Sequence, residues 1–121
     1  MDIKKLLYKT LSDKNILDLT ADKRIYFIHA NNPKPPYIEY EVISEVGDDF
    51  HEGKEIYTNY LVQVDIFSKE DYSEIENIIK KVMLANGFRR DNAVDLYENK
   101  TNLYHKAMRF NISLPLVLGG N

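Results

Sequence analysis

The sequence predicts one α+β domain, in which two helices pack on one face of an antiparallel or mixed β-sheet of four to five strands. Three observations lead to this prediction. The chain of 121 residues has the length of a single domain. Its apolar residues recur at helical spacing in two segments and alternate with polar residues in others. The connections are short, which favours antiparallel neighbours. The predicted order is α-β-β-β-α-β-β within one domain of residues 1–121.

The chain begins with a predicted helix and a short strand. Apolar residues at helical spacing predict a helix over residues 2–12. Residues 24–30 are β-branched and aromatic and predict a strand. Three prolines within residues 33–36 end this strand, because proline removes a donor of the strand ladder and fixes the backbone angle.

A long hairpin is predicted next. Residues 37–46 alternate, with Ile38 and Tyr40 on one face and glutamates on the other, and residues 57–67 alternate in the same way. The segment between them, residues 47–55, is polar and contains two glycines, which predicts a loop.

The second half of the chain predicts a helix and two strands. Ser68 is the predicted N-cap of the helix, with Asp71 three positions on in the manner of a capping box. Gly87 occupies the favoured position just after the helix. The apolar stripe between them consists of Ile75, Ile78, Ile79, Val82 and Met83.

The two strands predicted after this helix differ in strength. A weak strand is predicted within residues 88–98, around Val94 to Tyr97. The last strand covers residues 103–114. Its even-numbered apolar residues share one face, whereas His105 and Arg109 point the other way.

Composition excludes several classes of function. Sixteen Lys and Arg against nineteen Asp and Glu give a net charge of −3, without the basic excess of a nucleic-acid-binding domain. Cysteine is absent, which excludes disulfides, thiol catalysis and cysteine-ligated metals and fits a reducing compartment. No apolar run approaches the ~20 residues that span a bilayer, and the first residues lack the apolar segment of a signal peptide. We therefore expect a soluble intracellular protein with no membrane partner.

The sequence predicts no catalytic residue, no metal site and no cofactor. The three histidines lack metal-ligand spacing, and His51-Glu52 is only a fragment of a zincin motif. The acidic residues 48–55 lack the ligand order of an EF-hand loop. Neither a glycine-rich phosphate loop nor a nucleophile elbow is present. We therefore predict a binding protein and not an enzyme.

Two compositional features indicate protein contacts. Nine tyrosines, most of them on or beside predicted strands, are typical both of cross-strand pairs and of protein interfaces, and both interpretations stay open. Residues 39–55 are strongly acidic, whereas no acidic residue follows Glu98. A bipolar subunit of this kind suits head-to-tail packing in a ring. The alternative is that these are unrelated solvated faces.

The order of these motifs resembles that of the tail completion, or tail terminator, proteins of long-tailed siphophages and their prophage remnants. The resemblance runs from about Leu6 to Ser113. The motifs that carry it are the leading helix, the run Pro-Pro-Tyr-Ile-Glu-Tyr at 35–40, the strand ending Val-Asp-Ile-Phe-Ser at 64–68, the helix with the apolar stripe, and the closing segment 103–110.

The resemblance implies a small α+β subunit that assembles as a hexameric ring on the finished tail tube. Such a ring would stop tube polymerisation, offer a surface to the head connector protein and let DNA pass through its lumen without specific binding. An acidic lumen would repel the phosphates. The implied partners are other copies of the chain, the tail tube protein and the head connector protein. The implied location is the host cytoplasm during assembly and then the tail or neck of the virion.

The predicted interface combines the projecting hairpin loop, which would contact the tube or the connector, with the basic last strand. Its residues are Asp48, Asp49, Phe50, His51, Glu52, Glu55, His105, Lys106 and Arg109. Two other functions remain as alternatives. One is a different head-tail connector or neck component with the same kind of fold. The other is a small-ligand-binding domain or enzyme whose aromatic sheet face lines a pocket.

Overall fold

The structure, a computed structural model, describes residues 2–116 except for the side chains of Asp49, Phe50, His51 and Glu55. It contains three helices and five strands within that range. The helices are α1 (Ile3–Leu11), α2 (Lys14–Leu17) and α3 (Ser73–Ala85). The strands are β1 (Tyr26–Phe27), β2 (Tyr37–His51), β3 (Lys54–Ser68), β4 (Arg89–Glu98) and β5 (Leu103–Pro115).

The five strands form one mixed sheet in the order β1-β2-β3-β5-β4. Only β1 pairs in parallel, with the start of β2, and the other neighbours are antiparallel. Val64 of β3 lies opposite Tyr40 of β2 on one side and Met108 of β5 on the other. The predicted fold class and the order of the long elements are confirmed. The short helix α2 was not predicted.

The core lies between the helices and one face of the sheet. Alternate residues of the central strands point toward the helices, so the period of two predicted for the strands is the period of burial. Each fully buried aliphatic or aromatic side chain contributes about 1.5–3 kcal/mol relative to exposure. The side chains with at most 2% exposure are Leu7, Leu11, Ile16, Ile38, Val62, Val64, Ile66, Ile79, Met83, Phe88, Met108 and Phe110.

The predicted N-cap of α3 was wrong by four residues, because Ser68 is still part of β3 and the helix is preceded by Tyr72. Its hydroxyl accepts a hydrogen bond from the Glu70 N–H at 3.1 Å, so it closes a local turn instead of capping a helix. Asp71 accepts from both the N–H and the hydroxyl of Ser73, at 2.9 and 2.6 Å, where the helix begins. The predicted C′ glycine is confirmed, since Gly87 has a φ of +91°.

Strand β1 is shorter than the predicted strand over residues 24–30. Ile28 has a φ of +66°, which takes the backbone out of the extended region just after Phe27. The His29 N–H then donates to the Phe27 carbonyl at 2.7 Å, the bond of a γ-turn. The chain therefore leaves the sheet after two paired residues.

The predicted loop at residues 47–55 is wrong, because most of this segment belongs to the strands. Gly47 pairs with Thr58, and Asp48 with Tyr57. The connection is a two-residue turn at Glu52 and Gly53, whose φ values are +52° and +76°. Positive φ at both central residues is typical of the type I′ turn, whose twist matches that of a hairpin. The predicted hairpin is confirmed, but its strands extend to His51 and from Lys54, so its loop is much shorter than predicted.

Candidate interaction surfaces

A row of rings crosses the sheet face that points away from the helices, called here the open face. The rings of Tyr37 and Phe67 stack with centroids 4.7 Å apart, and Phe67 stacks on His105 at 4.2 Å. Tyr26 meets Tyr37 edge to face at 6.5 Å. The row follows from the register, because Tyr37 lies opposite Phe67 and Phe67 opposite His105. Tyr37 therefore forms one cross-strand pair of the kind that the tyrosine content suggested, with Phe67 as its partner.

A chain of polar contacts continues along the same face. His105 Nε2 and Asp65 Oδ1 lie 2.6 Å apart, and Gln63 Nε2 donates to the same carboxylate oxygen at 2.9 Å. Arg109 Nε donates to Gln63 Oε1 at 2.9 Å. Two residues of the predicted interface, His105 and Arg109, are thus brought together through Gln63 and Asp65. Asp65 is only 5% exposed, so these hydrogen bonds satisfy a buried carboxylate and hold the side chains of this face in place.

The open face is also acidic near β1. Glu39 lies opposite Asp65 in the register, and its Oε2 accepts from the Ala30 N–H at 2.9 Å. Burial, and next to it the charge of Asp65, raises the pKa of Glu39, although the hydrogen bond from Ala30 opposes this. Burial, with the neighbouring Glu39, raises the pKa of Tyr37 to about 12. This part of the face is a strip of negative charge bordered by aromatic rings.

Lys106, also predicted for the interface, points to the helix side of the sheet. Its Nζ lies 3.2 Å from Asp95 Oδ2 of β4 and 3.3 Å from Glu76 Oε1 of α3. Glu76 also pairs with Lys80 at 2.8 Å, and the Tyr72 hydroxyl donates to Asp95. Lys106 therefore ties α3 to the two last strands.

The pKa values around Lys106 follow from these contacts. Hydrogen bonds from Tyr72 and then from Lys106 lower the pKa of Asp95. Burial acts to raise the pKa of Glu76, but the hydrogen bonds from Lys80 and Lys106 outweigh it and lower the value. Burial acts to lower the pKa of Lys106, and its two carboxylate partners raise it. The network is charged at neutral pH and satisfied internally.

The far end of the hairpin projects beyond the helices. We call this region the distal arm: residues 43–59 of the hairpin together with residues 113–116. Among the described side chains of the arm, the large exposed apolar ones are Ile43, Val46, Ile56, Tyr57 and Leu116. Asp48, a predicted interface residue, accepts from the Ser113 hydroxyl at 3.1 Å, and Asn59 donates to the same hydroxyl at 3.0 Å.

The other predicted interface residues in this region are Asp49, Phe50, His51, Glu52 and Glu55. Glu52 lies in the turn at the tip of the distal arm and is exposed. Asp49, Phe50, His51 and Glu55 have side chains outside the described part of the chain.

A second exposed apolar site lies at the opposite end of the molecule, between α1 and β1. We call it the basal groove; it is lined by Lys4, Lys5, Tyr8, Phe27 and Tyr40. The rings of Phe27 and Tyr40 are 5.5 Å apart, and Lys4 Nζ lies 5.7 Å from the Phe27 centroid. Tyr8 is 59% exposed and Phe27 41%.

Sequence reasoning missed the basal groove, although one signal pointed to it. Tyr8 is a large aromatic residue that lies outside the buried stripe of Ile3, Leu7 and Leu11, on a face of α1 that does not pack into the core. The partner ring, Phe27, comes from a different element, so only the folded chain brings the two rings together.

The described residues offer few features of a chemical site. Across residues 2–116, described as above, no group of three His, Cys, Asp or Glu side chains is placed to hold a metal ion. A surface depression beside the start of α3 contains Glu76, Asp95 and Lys106, which are paired with one another. In the same part of the chain, no helix has the length and apolar character needed to cross a membrane.

The fold is similar to that of a virion protein. A solved chain from the "virion of native gene transfer agent (GTA) particle" superposes with a TM-score of 0.65, and the match covers 94% of this chain and 95% of that chain. The two sequences are 10% identical, so the likeness concerns the fold. No protein-family model and no curated protein matches the sequence significantly.

Proposed function

We propose that this protein is a structural component of a phage or phage-related virion, specifically a tail completion (tail terminator) subunit. In this proposal an oligomeric ring, a hexamer by the resemblance, caps the tail tube, stops its polymerisation and helps to join tail to head. The observation that carries the proposal is the fold match to a virion chain over nearly the full length of both chains. The order of sequence motifs supports the same assignment independently of the superposition.

The distribution of exposed groups supports a role in assembly. Large apolar side chains are exposed at the distal arm and at the basal groove, two sites at opposite ends of the sheet. Exposed apolar groups bordered by charges are typical of protein-protein contacts. A subunit with two different contact sites can bind neighbours on both sides, which a ring requires.

The partners in this proposal are other copies of the chain, the tail tube protein and the head connector protein. DNA would pass through the lumen of the ring without specific binding. The half-buried carboxylates of Glu39 and Glu41 on the open face would suit the wall of such a channel because they repel phosphates. We place the subunit in the host cytoplasm during assembly and in the tail or neck of the finished virion.

Deleting the gene from the phage or prophage that encodes it tests the proposal. The expected result is particles with overlong tails, because nothing then ends tube growth, and complementation with the wild-type gene should restore the normal length. Tailless heads beside tails of normal length would instead identify a connector or neck component. Unchanged particles would contradict any essential role in tail assembly. Negative-stain electron microscopy measures all three outcomes.

A shortened hairpin tests whether the tip of the distal arm contacts the tube or the connector. Removing residues 48–51 and 54–57 keeps the Glu52-Gly53 turn and leaves Gly47 opposite Thr58, so the remaining register and faces are preserved. We expect a folded subunit by circular dichroism that no longer supports head-tail joining. Normal joining by this variant would show that the tip makes no required contact.

A further inference from the structure

We propose that the basal groove of one copy receives the distal arm of the next copy, so that subunits join head to tail; this proposal rests on the ring-forming function proposed above. Three features of the structure carry it: the reach of the sheet, the chemistry of the two surfaces and their separation.

The sheet extends well beyond its helices. Strand β3 has 15 residues, or about 50 Å of strand, whereas α3 has 13 residues, or about 20 Å of helix. The helix side of the distal arm carries Ile56, Leu114 and Leu116 in continuation of the core face. Ile56 is 43% exposed and Leu116 37%. Leu114 is partly buried against the core, so Ile56 and Leu116 are the exposed apolar groups among the described residues on this side of the arm.

The chemistry of the basal groove complements that of the arm. The groove has an apolar floor of Tyr8, Phe27 and Tyr40 and a rim formed by Lys4 and Lys5. Lys4 faces the Phe27 ring, which leaves Lys5 as a positive charge at the edge of the groove.

The distal arm is negatively charged, whereas the basal groove is positively charged. Glu45 is exposed and lies opposite Tyr60, on the same side of the sheet as Ile56. Within residues 43–59 the acidic residues are Glu45, Asp48, Asp49, Glu52 and Glu55, and the basic residue is Lys54. An acidic arm with exposed aliphatic groups thus matches a basic groove with an aromatic floor, in charge and in polarity.

The two surfaces of one chain cannot meet each other. Tyr40 of the groove pairs with Val64 of β3, and Glu45 of the arm pairs with Tyr60. Along the strand, Glu45 is therefore about 13 Å and Ile56 about 26 Å from the groove. The arm must therefore enter the groove of another copy. Because the surfaces differ, the contact is heterologous, and it leaves a free arm at one end and a free groove at the other. Repetition of such a contact closes into a ring when the rotation allows it.

Disulfide trapping tests the contact without background, because the chain contains no cysteine. A Lys5→Cys variant and a Glu45→Cys variant are mixed and oxidised, with and without purified tail tubes as template. We expect a cross-linked heterodimer from the mixture and a ladder longer than the dimer from the variant that carries both substitutions. The matched control is Lys81→Cys mixed with Glu45→Cys, since Lys81 is exposed on α3 and lies outside both surfaces.

Charge reversal provides the second arm of the test. Lys5→Glu and Glu45→Lys should each weaken self-association about three- to tenfold, because each places like charges together. The variant with both reversals should recover self-association. Loss that the double reversal does not repair would overturn the pairing of Lys5 with Glu45. Folding of each variant is checked by its thermal transition.

The outcomes separate this contact from the proposed function. Cross-linking no stronger than the Lys81→Cys control, while the mass in solution or on tubes still shows an oligomer, would overturn the arm-in-groove contact and leave the ring intact. If the variant with both cysteines forms cross-linked dimers but no longer ladder, the contact is a reciprocal pair, and the head-to-tail arrangement is overturned. A chain that stays monomeric even with tail tubes would overturn both the contact and the ring.

Discussion

The helix-covered body and the distal arm are built from the same strands, yet they differ in almost every physical respect. In β3, Val62, Val64 and Ile66 are fully buried, whereas Ile56 is 43% exposed. In the described part of the arm, the one buried side chain is that of Thr58. The alternation of apolar residues continues along the strand, but the helices that would cover them end.

This difference in burial indicates different roles for the apolar residues of the two regions. The apolar residues of the body contribute to folding, because burial against α1 and α3 removes them from water. The apolar residues of the arm gain little on folding and are available for contacts with other chains. The comparison therefore predicts opposite consequences for similar substitutions in the two regions.

The largest expected effect comes from truncating the body. Phe110→Ala removes a ring that is 1% exposed and should lower the free energy of unfolding by about 3–5 kcal/mol. Ile56→Ala in the arm should change it by no more than about 0.5 kcal/mol while weakening self-association. Urea denaturation measures the free energy of unfolding of both variants, and mass measurement in solution measures their self-association. Equal losses of stability would show that the arm is part of the core.

Much of the body could be predicted because its signals are periodic. The alternation in β5 assigned His105 and Arg109 to the face away from the core, where both lie. The same alternation places Lys106 on the helix side, although its charge suggested an interface. The partners of Lys106 come from α3 and β4, and no local pattern states which carboxylates the fold brings together.

The arm and the edges were harder to predict because their signals are compositional. Residues 47–55 have the polar, glycine-containing composition of a loop, and Glu52-Gly53 lacks the Asn or Asp that marks most type I′ turns. The hairpin is held by backbone pairing across the strands. The basal groove joins Tyr8 to Phe27, two residues far apart in the sequence, so its existence depends on tertiary structure alone.

Replacing Lys106 tests whether it belongs to the body. Lys106→Met leaves Asp95 without its lysine and should cost about 1–2 kcal/mol of stability at neutral pH, with self-association retained. The pKa values of Glu76 and Asp95 are lowered in the folded state, so their stabilisation is present above the ordinary values of 4.5 and 3.8. It is lost as the pH falls through the folded values.

The difference between wild type and Lys106→Met should therefore shrink below about pH 4. Urea denaturation at a series of pH values measures it, with Arg109→Met on the open face as the variant expected to cost less. Loss of self-association with unchanged stability would instead support the interface role that the sequence suggested for Lys106.

A smaller effect of opposite sign is expected at Glu39. Burial raises the pKa of this carboxyl above its ordinary value of 4.5, so the charged form is unfavourable in the folded state. The cost is present at neutral pH and disappears as the pH falls below the ordinary value. Glu39→Gln keeps an oxygen for the Ala30 N–H and should raise the melting temperature at pH 7 but not at pH 4.

Glu41→Gln is the matched control for Glu39, because it removes one negative charge from the same strand and the same face. If both variants raise the melting temperature at pH 7 by a similar amount, the cause would be reduced repulsion between the acidic residues and not the burial of the Glu39 carboxylate. Thermal unfolding followed by circular dichroism at the two pH values makes the comparison.

The smallest expected effect concerns the turn of the arm, where substitutions change the local stability of the hairpin and leave the core intact. Glu52 has a φ of +52°, which asparagine adopts more readily, so Glu52→Asn should stabilise the hairpin by a few tenths of a kcal/mol. Gly53→Ala should act in the opposite direction, because the φ of +76° is strained for any residue with a Cβ. A Cβ at this position would meet nothing within 4 Å, so the loss would come from the backbone and not from a clash.

Hydrogen exchange of the amides of the distal arm measures both changes of the turn, since local opening responds to turn strength before global unfolding does. Slower exchange in Glu52→Asn and faster exchange in Gly53→Ala, with the amides of the body unchanged, would show that the arm opens independently of the core. If the amides of the body respond to the same extent, the two regions unfold together. The separation between a body that provides stability and an arm that provides contacts would then be wrong.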